Sequence, residues 1–259
     1  MGLILSDRKP PKGSSAAALR KWGMVFTVIG IVGRCILENA VIGINGMTND
    51  QLLNAMDSDP AIMAAATASI FCKIMGTCAV PMFAFLLVEG FRHTASIEKY
   101  LLRVLGLAVV TEIPYNLAMG GSLIDLGSRN PVFGLALCLM MLWFYQRYPG
   151  MSLQNVLMKV VISAATIAWC LMLRVDQGIC FAIMVIFLWT LRNKTNMRAI
   201  YGFCGAIVCS LVDRYYIGAC LSCILLHRYT EERGEQNRVL SYGFYPVCLL
   251  ILGIAAKFI

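Results

Sequence analysis

Apolar runs long enough to cross a bilayer dominate this chain. A helix needs roughly 20 apolar residues to span about 30 Å of hydrocarbon. About nine windows approach that length, at 22–44, 66–92, 98–119, 130–147, 154–173, 177–192, 198–213, 214–227 and 240–258. The range is eight to ten, because Asp213, Arg214 and two tyrosines leave only a very tight turn between the windows that follow residue 198. The fold class expected is therefore all-α, a polytopic integral membrane protein. Hydrophobic residues make up 59% of the 259, charged residues 14%, and mean hydropathy is +0.73. Such a chain cannot hide its apolar surface inside one aqueous globule, and the partner it implies is the lipid bilayer.

Residues 1–21, MGLILSDRKPPKGSSAAALRK, carry Arg8, Lys9, Lys12, Arg20 and Lys21 against one acid, with no apolar run leading to a small-residue cleavage site. They read as a retained basic cytosolic tail. Between the first two windows, INGMTNDQLLNAMDSDPAIM holds Asp50, Asp57 and Asp59 and no Lys or Arg. The opposite side collects Arg92 with Lys99, Arg147, the Arg192, Lys194 and Arg198 group, and HRYTEERGEQNR. The positive-inside rule places the N-terminus in the cytosol and the chain in the cell (cytoplasmic) membrane as a multi-pass protein, and nine spans put the C-terminus outside. Residues 48–60 are expected as a short helix on the outer surface. No repeat of 20–50 residues and no long Gly/Ser linker is visible, so 22–259 reads as one transmembrane domain. Topology accounts for the net charge of +8 better than nucleic acid does. The eleven cysteines are scattered through apolar runs. The Cys220 and Cys223 CxxC has no second pair, so core packing is favoured over metal or redox work and no metal is expected.

A charge at the centre of a span costs about 2.5–3.5 kcal/mol, so the polar residues within the windows are the informative ones. Glu89 and His93 lie one helical turn apart at the cytosolic end of the second window, and Arg92, Lys99 and Arg103 follow. A carboxylate beside an imidazole gives a proton-handling pair, and cations around it can hold phosphates. The same residues also fit a histidine at headgroup level and arginines that obey the positive-inside rule. Helix rise brings Arg34, Glu38 and Glu112 into the outer half, with Lys73 and Asn130 near that level and Arg174, Asp176 and Asp213 at outer turns. They would fit a polar vestibule opening outward, while Arg34 and Glu38 would equally fit an i, i+4 ion pair closed within one helix. Pro81, Pro114 and Pro246 point to broken or cavity-lining helices rather than uniform spans.

Four stretches in order, VPMFAFLLVEGFRHT, KYLLRVLGLAVVTEIPYNLA, RNPVFGLAL and YGFYPVCLLILG, resemble the succession of motifs in the TraX family of polytopic membrane proteins. The match is close over roughly residues 70–140 and looser elsewhere. That family takes its name from the conjugation protein associated with N-terminal acetylation of F-type pilin, and it is grouped with membrane acyltransferases that use a cytosolic acyl donor. The resemblance implies an acetyltransferase that moves acetyl from acetyl-CoA, without a metal, to an amine or hydroxyl on a peptide N-terminus, a pilin-like peptide or a glycan. Carried onto this chain, it implies His93 as base oriented by Glu89, Lys99 and Arg103 as donor-binding, and Glu112, Asn130 and, as a weaker match, Asp176 at the acceptor or along the cavity; Arg92, by its place beside His93, joins the donor-binding cations, and Arg34 and Glu38, by their depth, join the acceptor or cavity group. Thr94, Tyr100 and Pro114 belong to the same pattern.

Two departures stand against a direct transfer of activity. The family pattern ends the first apolar run with an Asp-His pair and places a histidine after FYP, where this chain has Ile31 with Val32, and Val247 with Cys248. If those positions carry the chemistry, this chain is altered or inactive. The alternative is a noncatalytic transporter or membrane scaffold that keeps the family fold.

Overall fold

The computed structural model describes residues 13–120, 122–124, 127–190, 197–230, 232, 234 and 238–259. Arg8, Lys9, Lys12, Arg192, Lys194 and part of HRYTEERGEQNR lie outside the described residues. The described residues form helices and turns with no strand, only two isolated bridges, Ser14 with Tyr229 and Arg129 with Val175.

Helix α1, Ala16–Ile31, begins where Ser15 Oγ accepts from the Ala18 N–H at 3.2 Å. Arg20 and Lys21 therefore stand on the second turn of a helix. The rod continues as a π-helix, Val32–Ile42, which ends at Gly43, whose φ of 74° suits the residue without a Cβ. Thr48 and Gln51 form a capping box that starts α2, Asn49–Ser58, a helix with no buried residue. The short helix expected at 48–60 is thus present. Asp59 and Pro60 then start α3, Pro60–Thr77, and after Cys78 the chain continues as α4, Ala79–His93. The interruption falls where Pro81 cannot supply an N–H to the Thr77 carbonyl four residues back.

Helix α5, Ile97–Gly120, and α6, Pro131–Tyr145, lead to α7, Leu153–Met172, and α8, Gly178–Thr190. Helix α9, Arg198–Val212, turns through a 3-10 segment, Arg214–Gly218, into α10, Ala219–His227, and α11, Arg238–Ala255, closes the chain. Helices α5 and α11 run through Pro114 and Pro246 without a break and take the cavity-lining form instead, while the helix near Pro81 is interrupted. One proline removes one backbone bond, and α5 and α11 pack along each other and hold the rods together.

Four segments are long and apolar enough to cross a bilayer: Ala16–Ile42, Pro60–His93, Ile97–Gly120 and Leu153–Met172. Shorter apolar helices complete an all-helical, polytopic membrane protein. The window expected as a span at 214–227 is instead a 3-10 turn and a helix of nine residues, roughly 13 Å of rise. Its tip lodges against α3, where the Cys78 thiol meets the Gly218 carbonyl at 3.0 Å and Thr77 Oγ donates to the Tyr215 carbonyl at 3.2 Å.

Helices α4, α6 and α8 form the centre. They are apolar on nearly every face, and Phe91 of α4 meets Trp189 of α8 edge-on at 5.4 Å. Helix α7 lies outside, burying only Thr166 and Cys170 and exposing Leu157, Val160, Val161 and Trp169. This is the face a lipid-contacting helix presents. Helices α1 and α3 cross with backbones in contact at Gly30 and Gly76, where a Cβ on Gly76 would lie 2.7 Å from the Gly30 Cα.

Candidate functional site

A cavity of about 1160 Å³ runs along α1 between α4, α5, α11 and the tip of the α9–α10 hairpin. Its two ends differ in charge. At one end stand Arg20 of α1, Tyr100 and Arg103 of α5, and Ser241 and Tyr242 of α11. Arg20 Nη1 donates to Ser241 Oγ at 3.2 Å. Among the described residues neither Arg20 nor Arg103 has a carboxylate at ion-pair distance, although two cations share this mouth. Tyr100 crosses α4 at Gly90, where a Cβ would come 2.9 Å from the phenol oxygen, so the small residue there permits the close approach.

At the other end the charges are paired across helices. Arg34 Nη1 meets Asp176 Oδ2 at 2.7 Å, and the Tyr115 hydroxyl donates to the same oxygen at 3.0 Å. Lys73 Nζ lies 2.6 Å from Glu38 Oε1, which also accepts from Ser69 Oγ at 2.8 Å, and the ammonium stands 5.3 Å over the Tyr215 ring. The i, i+4 pair between Arg34 and Glu38 does not form, because each side chain finds an opposite charge on a neighbouring element. Asp176 is presented by a turn whose flanking residues, Arg174 and Gln177, have φ of 51° and 57°. Backbone bonds pin that turn, from Arg129 N to the Arg174 carbonyl and from Asp176 N to the Arg129 carbonyl, each 2.9 Å.

Glu112 and Asn130, expected in the same vestibule, do not appear in the described lining. They build the joint behind it. Asn130 Nδ2 donates to Glu112 Oε2 at 2.7 Å and to the Ala108 carbonyl at 2.8 Å, while its Oδ1 caps α6 through the Val132 N–H at 3.0 Å. Arg129 Nη1 completes the set at 2.9 Å from Glu112 Oε1. This joint fixes the pitch of α5 and so the place of Tyr115, one turn beyond Glu112.

The basic cluster at the end of α4 is split by the fold. Arg103 lines the cavity, whereas Glu89, Arg92, His93 and Lys99 are outside its described lining. The buried Glu89 carboxylate is held by Arg92 Nη1 at 2.8 Å. His93 Nδ1 lies 2.9 Å from the Glu89 backbone carbonyl and 3.8 Å from its carboxylate, and the ring is exposed. A neutral His93 therefore carries its proton on Nδ1 and leaves Nε2 as the acceptor.

Sequence reasoning passed over Arg20 and Arg129. The signal for Arg20 was the Ser15 cap before AAALRK, which starts the helix early enough to turn that arginine into the cavity. For Arg129 it was only adjacency to Asn130, with nothing to indicate Glu112 as its partner.

The family model described as TraX protein matches residues 42–256. The chain belongs to the TraX family. Over 212 residues this TraX-family chain is 26% identical to the probable fimbrial assembly protein FimC, serogroup H1, of Dichelobacter nodosus, covering 72% of this chain and 83% of that protein. No solved structure matches it. Within this TraX-family fold Ile31 lines the cavity wall one turn before Arg34, and Cys248 packs behind it with Cys35 and Tyr115. The polar groups at that level are Arg34, Tyr115, Asp176 and Tyr245.

Proposed function

We propose that this protein is an acyltransferase of pilus or conjugation machinery, seated in the cell membrane with its N-terminus in the cytosol. It would move acetyl from cytosolic acetyl-CoA to an amine or hydroxyl on a peptide, pilin-like peptide or glycan. Family membership and the fimbrial assembly relative support the pilus link. The observation that carries the donor is the pair Arg20 and Arg103, cations without an acid among the described residues at the mouth of a membrane-deep cavity. A cation next to hydrocarbon is costly without an anion beside it, and the phosphates of a donor would supply one. Phosphates seated there would leave the acyl arm free to extend up the cavity.

Calorimetry on protein in nanodiscs tests this. Acetyl-CoA binding is expected for the wild type and a loss of roughly tenfold or more in affinity for each of Arg20→Gln and Arg103→Gln. Labelled acetyl should then pass to a component of host membrane extract. No binding and no label would overturn the reading.

The free Nε2 of His93 supports a second place for the reaction, at the rim, with Glu89 orienting the ring and Arg92 and Lys99 near the donor. A cavity that continues from Arg20 to Glu38 also suits the transporter alternative, which predicts solute passage without any acyl donor.

A further inference from the structure

Resting on the acyl-transfer reading, we propose that Arg34 stabilises the oxyanion of the transferred acyl group and that Asp176 positions it. Arg34 lines the cavity with 38% of its side chain accessible. Among the described residues only its Nη1 is engaged, by Asp176. A guanidinium offers five N–H donors in a planar fork and does not lose its proton, so Nη2–H and Nε–H remain to meet a developing negative charge. Lys73, also at this end, is held against Glu38 and the Tyr215 face and offers no planar fork.

Asp176 is over-determined in a way a simple counter-ion does not require. Tyr115, itself 1% exposed, donates to the same Oδ2, and the turn carrying Asp176 is held between two non-glycine residues at positive φ. Each such residue costs on the order of 1–3 kcal/mol and persists where the surroundings impose it, commonly at functional sites. The strain here serves to aim one carboxylate at one arginine. Arg34 also lies 14 positions beyond Arg20 on the same helical rod, roughly 20 Å of rise. A donor whose phosphates sit between Arg20 and Arg103 can thus bring an extended acyl arm to Arg34.

In the step, the lone pair of the acceptor nitrogen or oxygen attacks the thioester carbonyl carbon, and the C=O π pair moves onto oxygen. That oxyanion accepts from the free Arg34 N–H groups, donors already fixed in place by the bond to Asp176. Collapse re-forms the C=O and breaks the C–S bond. The thiolate leaves with its electron pair and takes the proton the acceptor gives up, so the products are the acylated acceptor and the free thiol.

The test compares wild type, Arg34→Gln, Arg34→Lys, Asp176→Asn and the surface control Arg147→Gln in nanodiscs, by labelled acetyl transfer and by acetyl-CoA binding. Arg34→Gln is expected to lower kcat about 100-fold while donor affinity stays within about twofold. Asp176→Asn is expected to lower kcat about tenfold with the donor KM unchanged, a split that general loosening of the fold does not produce. An active wild type with Arg34→Gln within about threefold of its kcat overturns the inference alone. A wild type that neither binds donor nor transfers label sinks the acyl-transfer reading itself. Should Arg34→Gln aggregate, Arg34→Lys decides: it keeps the charge and loses the fork, and a kcat equal to wild type overturns the proposal.

Discussion

Asn130 shows how one residue serves fold and site together. Its amide satisfies Glu112 and the Ala108 carbonyl while capping α6, and it is fully buried. Asn130→Ala should cost about 1–3 kcal/mol, read as a lower midpoint of thermal unfolding in detergent, because the half-buried Glu112 carboxylate loses a donor and α6 loses its cap. Arg174 behaves oppositely. It is exposed and held at φ 51°, so Arg174→Gly should leave stability unchanged or raise it by up to about 1 kcal/mol in the same measurement. At His93 the outcome locates the reaction. A step inside the cavity leaves transfer largely intact in His93→Ala, whereas abolished transfer with donor binding retained would move the step to the rim. Glu89 and His93 were legible as a pair because spacing of four reads directly from sequence. Their distance from the cavity lining was not, since it depends on how α4 and α5 face each other.

At the scale of elements, the crossing of α1 and α3 keeps the pair of Lys73 and Glu38 in register. Gly30 and Gly76 let the two backbones touch, and Glu38, two turns beyond Gly30, then meets Lys73, one turn before Gly76. Gly76→Leu should destabilise by about 1–3 kcal/mol through overpacking and should weaken donor-dependent activity with it. Gly106, in the middle of α5, is the contrasting case, because a Cβ there would meet nothing within 4 Å. Gly106→Ala should stabilise by up to about 1 kcal/mol through helix propensity. Helices α9 and α10 mark the limit of window counting. Their composition is apolar enough for two spans, yet α10 has nine residues and its hairpin tip is anchored on Thr77 and Cys78. Hydropathy reports what surrounds a segment and is silent on whether lipid or protein does so.

At the scale of the whole molecule, three backbone hydrogen bonds constrain the topology. Ser14 N donates to the Arg228 carbonyl at 2.7 Å, Thr230 N donates to the Ser14 carbonyl at 3.1 Å, and Ala16 N reaches the Glu232 carbonyl at 2.9 Å. The start of α1 and the end of α10 therefore lie together, and an even number of crossings is expected between them. With one crossing by α11, the C-terminus is expected opposite the N-terminus, the arrangement that nine spans also predicted. Cysteines placed at Asp50 and Lys257 should react with an impermeant maleimide from outside intact cells, above the wild-type background, and one at Lys99 only after permeabilisation. Labelling of Lys99 and Lys257 from the same side would contradict this arrangement.

The run of apolar windows, the absence of charge within most of them and the motifs around Glu89, Glu112 and Asn130 were enough by themselves to determine an all-helical membrane protein of the TraX family, because lipid leaves a spanning backbone few other ways to satisfy its hydrogen bonds. The motifs named many of the polar residues that matter and left their pairing open. Only the tertiary structure decided that Arg34 faces Asp176 rather than Glu38, that Glu112 and Asn130 build a joint behind the cavity, and that Arg20 and Arg103 share its mouth. Such pairings join residues far apart in the chain. They are set by the rotation and crossing of packed helices, which local spacing does not encode.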